Sequence, residues 1–267
     1  PQVGHAEILK VVYYEYTLPA NENFTISVTP RGGDMDIFVT TDPNIKPDSQ
    51  KNATWYGTDI GFDTVAINDN HPKYVGAGNK YYIGIKGYSY NRLFTIFVTL
   101  NNNYTRIMEG IPLSTYAEGH EFRYFEFDVT SDYGGHKVTF NLISLKSGSD
   151  PDMYITRTLA QGHPSPSNCE WCNSGIGSDI REIDNAPAGK YYVGVRAFQR
   201  RAYFQITATT ALQSIQLNPG STYRGHVLAG QYNYYRWHHG NIREAFQVVV
   251  SPYAGSVELF ESKTSPN

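Results

Sequence analysis

The sequence repeats itself with a period of about 110 residues, and this constrains its fold more than any other feature. Two segments recur closely: 81–86 (YYIGIK) returns as 191–196 (YYVGVR), and 33–39 (GDMDIFV) returns as 149–155 (SDPDMYI). A looser third copy of the latter is 255–260 (GSVELF). Aromatic segments precede these at 13–16 (YYEY), 124–127 (YFEF) and 234–237 (YYRW). Such self-similarity is typical of tandem domains, and the period suits one small domain.

The copies predict three repeats, at 1–103, 104–211 and 212–267. Repeats 2 and 3 have an opening segment that repeat 1 lacks, and repeat 3 stops before its counterpart of the strand that begins at Tyr81. Half a β-domain would expose an apolar sheet face. We therefore expect a section of a longer tandem array. The alternative is that a neighbouring chain supplies the missing strands.

Each repeat carries the period-two pattern of β-strands. Apolar and polar residues alternate at 24–29 (FTISVT), 94–100 (FTIFVTL), 138–142 (VTFNL) and 246–250 (FQVVV). Alternation of this kind predicts one buried and one solvent-facing side, as in antiparallel sheets. Seven or eight short strands in each unit favour a β-sandwich. The predicted fold class is therefore all-β, with tandem antiparallel β-sandwich domains.

Charge and motifs exclude several functions. The formal net charge of −3 leaves no basic surface for a phosphate backbone, so we expect no nucleic-acid partner. The longest apolar runs, such as 246–250, are far too short to span a bilayer. The chain has no Gly-x-Ser-x-Gly, no His-Glu-x-x-His and no phosphate-binding glycine loop. We expect a protein that is not an enzyme.

The ordered elements of repeat 2 resemble the bacterial pre-peptidase C-terminal (PPC) domain. They are the aromatic strand 124–127, the segment 150–155 (DPDMYI), Trp171 after a proline-containing loop, 179–183 (DIREI), 186–195 (APAGKYYVGV) and the closing strand 203–207 (YFQIT). Repeat 1 follows the same order, with Asn79 where repeat 2 has Gly189. The resemblance implies a jelly-roll-like β-sandwich that is extracellular and non-catalytic, in a family where some members bind matrix or calcium. No peptidase-like segment precedes or separates the repeats.

Two pairs of aspartates are the candidate metal ligands. Asp34 and Asp36, like Asp150 and Asp152, stand two residues apart, so both carboxylates of a pair project from the same face of a strand. Calcium takes six to eight oxygen ligands, so each pair needs help from further acidic residues. The candidates are Asp63, Asp69, Asp179, Glu182 and Asp184. The alternative is that the four aspartates cap turns, and no cofactor is required.

Cys169 and Cys172 are the only cysteines in the chain. A single Cys-x-x-Cys lacks two of the four ligands of a structural zinc site, and no βαβ pattern supports a thioredoxin-like motif. In an extracellular chain we expect a disulfide that holds the loop of Trp171. Free thiols and a metal site are the alternatives.

Three Asn-x-Ser/Thr motifs, at Asn23, Asn52 and Asn103, are candidate N-glycosylation sites. Asn23 shares the strand side of Thr25, which the alternation predicts to face solvent. Asn52 falls in a polar loop, and Asn103 falls in the linker between repeats 1 and 2. All three could carry glycan in a eukaryotic source.

The chain contains 22 tyrosines, more than a core of this size needs. Several fall on predicted outward faces or in turns, namely Tyr82, Tyr88, Tyr90 and Tyr192. Tyrosine on a half-wet surface favours contacts with sugars or proteins, and the alternative is cross-strand aromatic pairing. We predict a structural or adhesive repeat protein, outside the cell or on its surface, that associates with itself or with neighbouring repeats. The second hypothesis is a matrix- or carbohydrate-binding module of a secreted enzyme such as a peptidase.

Overall fold

The computed structural model describes residues 1–88, 93–101, 103–210, 214–217, 223, 225, 227, 229–237, 246–252 and 255–262. Within these ranges the regular secondary structure is almost entirely β-strand, which confirms the predicted fold class. Two one-turn 3₁₀ helices, at Gln50–Asn52 and Ser131–Tyr133, are its only helices there. Neither is long enough to reach across a bilayer.

Residues 1–100 form two four-stranded antiparallel sheets. The strands are β1 (Gln2–His5), β2 (Val11–Thr17), β3 (Phe24–Pro30), β4 (Met35–Thr40), β5 (Trp55–Gly57), β6 (Asp63–Ile67), β7 (Lys80–Gly87) and β8 (Leu93–Leu100). One sheet has the order β1-β8-β3-β6 and the other has the order β2-β7-β4-β5. Their facing sides enclose a core that includes Phe24, Met35, Tyr81 and Phe94, all nearly inaccessible to solvent.

Residues 104–210 repeat this architecture with one additional strand. The strands are β9 (Tyr104–Arg106), β10 (Leu113–Ala117), β11 (Phe122–Val129), β12 (Val138–Ser144), β13 (Pro151–Thr156), β14 (Trp171–Asn173), β15 (Asp179–Ile183), β16 (Gly189–Ala197) and β17 (Ala202–Thr210). The sheets have the orders β10-β17-β12-β15 and β14-β13-β16-β11-β9. Strand β9, which follows directly on repeat 1, lies parallel to β11 at the edge of the second sheet.

The described part of residues 212–267 contains one two-stranded ladder. Strand β18 (Ile215–Gln216) lies parallel to β19 (Tyr235–Arg236). The predicted strand at 246–250 does not form, and its alternate residues Phe246, Val248 and Val250 are about half exposed. No strand of the described residues pairs with this segment, so there is no sheet against which its apolar side chains could be buried. The division into three domains stays a prediction.

The prediction of one solvent-facing side is wrong for the central strands. In β3 the polar residues Thr25, Ser27 and Thr29 are at most 3% exposed, and the whole of β4 is buried as well. For β3 the reason is that β10 of the second sandwich covers its outer side. These threonines and serines therefore form the contact surface between two sandwiches.

Candidate functional site

The contact between the two sandwiches is the most developed candidate site, because buried hydrogen bonds cross it. The Ser27 hydroxyl donates to Thr115 Oγ1 at 3.2 Å, and Thr64 donates to Ser27 Oγ at 2.9 Å. The backbone N–H of Ser114 donates to Thr29 Oγ1 at 2.8 Å. Buried polar groups placed in register fix an orientation, since any shift would leave them unsatisfied. We call this set of contacts the junction.

The linking segment between the sandwiches is bound into the junction too. Thr105, on β9, donates to Thr99 Oγ1, the last polar residue of β8, at 3.5 Å. The guanidinium of Arg123, which is 4% exposed, donates to Asn101 Oδ1 at 2.9 Å. Burial lowers the pKa of Arg123, and Glu121, at 3.8 Å, opposes that shift. The linker is therefore a structured part of the interface.

An open groove of about 530 Å³ runs along the rim of the junction. Its aromatic lining includes Phe62 from repeat 1, and Tyr116 and Tyr203 from repeat 2. Lys146 crosses it, with Nζ 3.2 Å from Asp59 Oδ2 and 4.1 Å from the centre of the Tyr203 ring. Arg201 lies 4.5 Å from the centre of the Tyr116 ring and forms an ion pair with Glu118. Aromatic faces beside charged hydrogen-bonding groups are suited to binding polar, ring-shaped ligands such as sugars.

Asp34 and Asp150, the first members of the two aspartate pairs, bind loop amides. Asp34 Oδ1 accepts the N–H of Gly61 at 2.9 Å, and Asp150 Oδ1 accepts the N–H of Gly177 at 2.7 Å. These bonds tie the start of β4 and of β13 to the loop before the next strand of the opposite sheet. This is the turn-capping role that the sequence offers as the alternative to calcium.

Asp36 and Asp152, the second members, are buried and accept tyrosine hydroxyls. Asp36 is hydrogen-bonded by Tyr88, and Tyr154 donates to Asp152 Oδ2 at 3.2 Å. Burial raises the pKa of both carboxyls, while the tyrosine bonds oppose the rise.

A third aspartate stands beside each pair. Asp63 begins β6 and Asp179 begins β15, and each has one carboxylate oxygen, Oδ2, that is buried without a hydrogen-bond partner. Burial, reinforced by the charge of Asp36, raises the pKa of Asp63 to about 7. Burial, reinforced by Asp152, raises the pKa of Asp179 to about 6. Both repeats therefore contain a buried carboxyl whose pKa is raised well above its ordinary value.

These carboxyls do not assemble into a metal site in the part of the chain that the structure describes. No group of three or more His, Cys, Asp or Glu residues there is arranged to hold a metal ion. Of the other candidates, Asp69 donates its backbone N–H to Asn23 Oδ1. The carboxylates of Glu182 and Asp184 both form ion pairs with Lys137. The aspartates fit turn capping better than they fit a calcium cage, so no function is derived through calcium, and calcium binding stays a prediction.

Cys169 and Cys172 form a disulfide, with their Cα atoms 5.7 Å apart. It closes the base of the proline-containing loop just before β14, whose first residue, Trp171, packs against Tyr191 with ring centres 5.9 Å apart. In repeat 1 Trp55 meets Tyr81 at the same 5.9 Å without a disulfide. The Trp–Tyr contact is therefore the shared feature of the two loops, and the disulfide is an addition in repeat 2.

The three glycosylation candidates differ in their surroundings. Asn52 and Asn103 are exposed. Asn23 is only partly exposed, and its Oδ1 accepts the N–H of Asp69 at 2.8 Å. Thr25, its expected solvent-facing neighbour, is buried, so that expectation is wrong. The structure leaves Asn52 and Asn103 as the better-placed acceptors.

Of the tyrosines expected on outward faces, Tyr192 pairs with another aromatic ring. Tyr104 on β9 packs between Tyr124 and Tyr192, with ring centres 5.6 and 5.1 Å away, and its hydroxyl lies 2.7 Å from Nδ1 of His163. Tyr88 is 38% exposed, and Tyr90 lies outside the described residues. At this edge of repeat 2, tyrosine rings therefore attach the linking strand β9 to the sheet.

Sequence reasoning missed two parts of the site. The Ser and Thr residues of the junction look like a solvent-facing strand side, because only the position of β10 shows that they are covered. The aromatic groove residues Phe62 and Tyr203 come from repeats whose relative placement the sequence does not reveal. The one available signal was the high fraction of Thr and Ser on both sides of the linker.

Comparisons with known proteins do not identify this chain. No family model matches the chain, and no curated protein matches it. Similar solved structures include a fucolectin (F-lectin) from the serum of striped bass, Morone saxatilis, which is 8% identical, with 74% of this chain and 85% of that chain covered and a TM-score of 0.23. Another is the CUB1-EGF-CUB2 region of human MASP-1/3, which is 7% identical, with 78% and 98% covered and a TM-score of 0.23. At these values neither structure informs the function of this chain, whose all-β architecture follows from its own strand pairing.

Proposed function

We propose that this chain is a non-enzymatic structural or adhesive repeat protein of the cell exterior, a segment of a longer surface or filament-forming glycoprotein. The observation that carries the proposal is the junction. Flexibly linked binding modules need no buried hydrogen bonds between them, whereas a rigid array of repeats needs an interface that fixes each repeat against the next. The hydrogen bonds of Ser27, Thr29 and Arg123 hold two successive sandwiches in one relative orientation.

Repetition of the linking strand supports the same function. Strand β9 adds in parallel to β11, pairing Thr105 with Phe125, and β18 adds in parallel to β19, pairing Ile215 with Tyr235. Both pairs are related by an offset of 110 residues. A linking strand that joins each repeat to the next in one register propagates a fixed geometry along an array.

The disulfide supports an extracellular location, since disulfides persist in oxidising compartments. We also propose that the repeats are PPC-like domains. The order of strands along the chain and the Trp–Tyr contact of each repeat support this assignment.

Electron microscopy of the native, unfixed material tests the structural function. We expect regular filaments whose axial repeat matches one or more sandwich domains. Removal of N-glycans followed by mass spectrometry reports on Asn52 and Asn103 in the same material. Isolated particles that carry a large catalytic body would overturn the structural function in favour of a targeting module.

The groove supports a second candidate function, the binding of a carbohydrate or matrix component. Glycan-array binding of the chain and of its Tyr203→Ala variant tests this function, because Tyr203 supplies a groove face that also contacts Phe62 and Lys146. Tyr13→Ala is the matched control, since Tyr13 is exposed and does not line the groove. Loss of binding in the first variant alone would support the function, and no binding by the parent chain would contradict it.

A further inference from the structure

The groove at the rim of the junction has a buried carboxyl in its lining that is only half satisfied. Asp63 lines the groove, is 3% exposed, and has no hydrogen-bond partner for its Oδ2. Its Oδ1 accepts the N–H of Asp59 at 3.0 Å. A buried polar atom without a partner costs free energy, so a ligand that donates a hydrogen bond to this oxygen gains affinity.

Repeat 2 has the same buried aspartate, but side chains fill the space beside it. Asp179 is buried and its Oδ2 is likewise without a partner. Arg181 on β15 reaches across to β14, where its Nε donates to Asn173 Oδ1 at 2.7 Å. Asn173 Nδ2 donates back to the Ile180 carbonyl at 2.8 Å. These bonds close the gap between the two edge strands of repeat 2.

In repeat 1 the corresponding gap, between β5 and β6, is open. Gly57 takes the place of Asn173, and Val65 takes the place of Arg181. A Cβ atom on Gly57 would lie 3.1 Å from Cγ of Asp63. The missing side chain therefore leaves room beside the Asp63 carboxyl, on the side that faces the groove.

The charges around Asp63 are acidic. Asp36 lies on β4, Asp34 directly precedes that strand, and Asp59 lies in the loop before β6. Burial, reinforced by these three charges, raises the pKa of Asp63 to about 7. A positive charge placed beside this carboxyl is therefore favoured by four acidic groups together.

The two cationic side chains that line the groove already have acidic partners. Lys146 Nζ lies 3.2 Å from Asp59 Oδ2, and Arg201 forms an ion pair with Glu118. Among the described residues no ion pair involves Asp63. Lys146 also shows that an ammonium group fits between a carboxylate and an aromatic ring at this site.

The rest of the lining suits a sugar ring. Tyr56, which is 50% exposed, and Phe62 present aromatic faces, and the hydroxyls of Thr54 and Thr58 add hydrogen-bonding groups. The volume of about 530 Å³ falls within the range of about 300–1,000 Å³ that is usual for small-ligand pockets. A sugar offers apolar ring faces and hydroxyl groups at once, which matches this mixture.

We propose that the groove binds an amino sugar, with the primary ammonium group of the ligand paired to Asp63 and its ring against Tyr56 and Phe62. The Asp63 carboxyl turns toward the space beside Gly57, and the ammonium donates to the oxygen that has no partner. Hydrogen bonds between two charged groups are stronger than neutral ones, so an N-acetylated sugar, which lacks the charge, binds less well. This inference rests on the proposed carbohydrate-binding function and names the sugar class.

Calorimetric titration of the full chain at about pH 6 tests the proposal with two defined probes. One is a β-1,4-linked glucosamine tetramer, and the other is its N-acetylated counterpart, which has the same rings but no ammonium groups. We expect the glucosamine tetramer to bind about tenfold or more tightly, the gain from one hydrogen bond to a charged group.

Two matched variants assign the preference to the groove. Asp63→Asn removes the negative charge from the lining, so we expect it to bind both tetramers equally. Asp179→Asn is the control, because Asp179 is equally buried with an unpartnered Oδ2 but does not line the groove. We expect it to keep the preference of the parent chain. Circular dichroism of each variant confirms that the sheets are intact.

Proton release gives a second readout, which a merely structural role of Asp63 would not produce. At about pH 6 the free chain holds a proton on Asp63, because the pKa of that carboxyl is about 7. Pairing with an ammonium lowers this pKa, so binding releases up to about one proton per ligand. Titrations in buffers of different ionisation enthalpy measure this release. We expect none for Asp63→Asn.

The outcomes separate this inference from the function on which it rests. Equal affinity for the two tetramers, or a preference that Asp63→Asn retains, would overturn the amino-sugar assignment. If Tyr203→Ala still removes binding in that case, the groove binds carbohydrate by other contacts. Binding of neither tetramer would also overturn the assignment, and the glycan array then decides whether the carbohydrate function stands. Asp63-dependent binding of polylysine without binding of either tetramer would mean that the ammonium belongs to a protein partner.

Discussion

The hydroxyl oxygens of Ser27 and Thr115 lie 3.2 Å apart and buried, although 88 residues separate them in the chain. Each belongs to a different sandwich, so this hydrogen bond exists only when the two repeats are docked. A polar residue of β3 therefore helps to fix how the two sandwiches are arranged.

Replacing Thr29 with valine should weaken the junction. Thr29 Oγ1 accepts the buried N–H of Ser114 at 2.8 Å, and valine has the same shape without the acceptor. A buried N–H of Ser114 without an acceptor lowers the free energy of unfolding by about 1–3 kcal/mol. We expect a lower free energy of unfolding by chemical denaturation, and a broader distribution of inter-domain distances by small-angle scattering.

Thr25→Val is the control for that substitution. Thr25 lies on the same strand and is 1% exposed, but its hydroxyl has no hydrogen-bond partner. Removing an unsatisfied buried hydroxyl should leave stability unchanged or raise it. A similar loss in both variants would mean that the junction bond contributes nothing of its own.

Asp63 should make stability depend on pH. Its pKa is raised to about 7, mainly by burial, from 3.8, so between these values the folded state holds a proton that the unfolded state has released. Stability from this group is therefore complete at low pH and is lost as the pH rises through about 7.

The Asp63→Asn variant isolates this effect. Asparagine keeps the acceptor for the Asp59 N–H and never ionises. We expect the melting temperatures of the variant and the parent to agree near pH 3 and to diverge as the pH rises from about 4 to about 7. Above that range the difference stays constant, with the variant more stable by up to about 4 kcal/mol. Asp69→Asn, at an exposed position, should show no such divergence. Parallel pH profiles for parent and Asp63→Asn would contradict the burial argument.

The sandwich fold was predictable because its signals are local. Alternating residues such as Phe24, Ile26 and Val28 reach the core within their own repeat, and a strand period of two records this directly. The recurrence of Tyr81 as Tyr191 indicates that both copies adopt the same architecture. Both tyrosines are fully buried.

The junction and the groove were not predictable, because they depend on how two repeats dock. Ser27 and Thr115 have polar side chains on strands, and such residues face water unless another domain covers them. The aspartates show an intermediate case. The pairing of Asp34 with Asp36 is visible in the sequence, whereas Asp63 joins them through the sandwich topology.

A glycine in each repeat lets the proline-containing loop cross the sheet. A Cβ atom on Gly84 would lie 1.8 Å from the Pro47 carbonyl oxygen, and a Cβ atom on Gly194 would lie 2.6 Å from that of Pro164. Both contacts are with backbone and cannot be relieved by a side-chain rotation. We expect Gly84→Ala to displace the loop and to destabilise repeat 1 by about 1–3 kcal/mol.

The two glycines also give a ranking. Gly194→Ala should cost less than Gly84→Ala, because its Cβ would stand farther from the loop. Urea unfolding of the two variants measures the difference, and proteolysis of the loop at 42–50 measures its displacement in Gly84→Ala. An unchanged proteolysis pattern there would show that the loop does not rest on the sheet.

The disulfide should stabilise one loop and leave the rest of the chain unaffected. Cys169 and Cys172 close a ring of only four residues, for which chain entropy predicts about 2 kcal/mol. We expect reduction to lower the unfolding free energy by no more than this amount and to increase amide exchange at 158–170.

The loop around Trp55 is an internal control, because its Trp–Tyr contact forms without cysteines. If reduction increased exchange in both loops equally, the disulfide would have to act on the junction between the sandwiches and not on its own loop. The double variant Cys169→Ser/Cys172→Ser, which cannot be reduced, should match the reduced parent chain in both measurements.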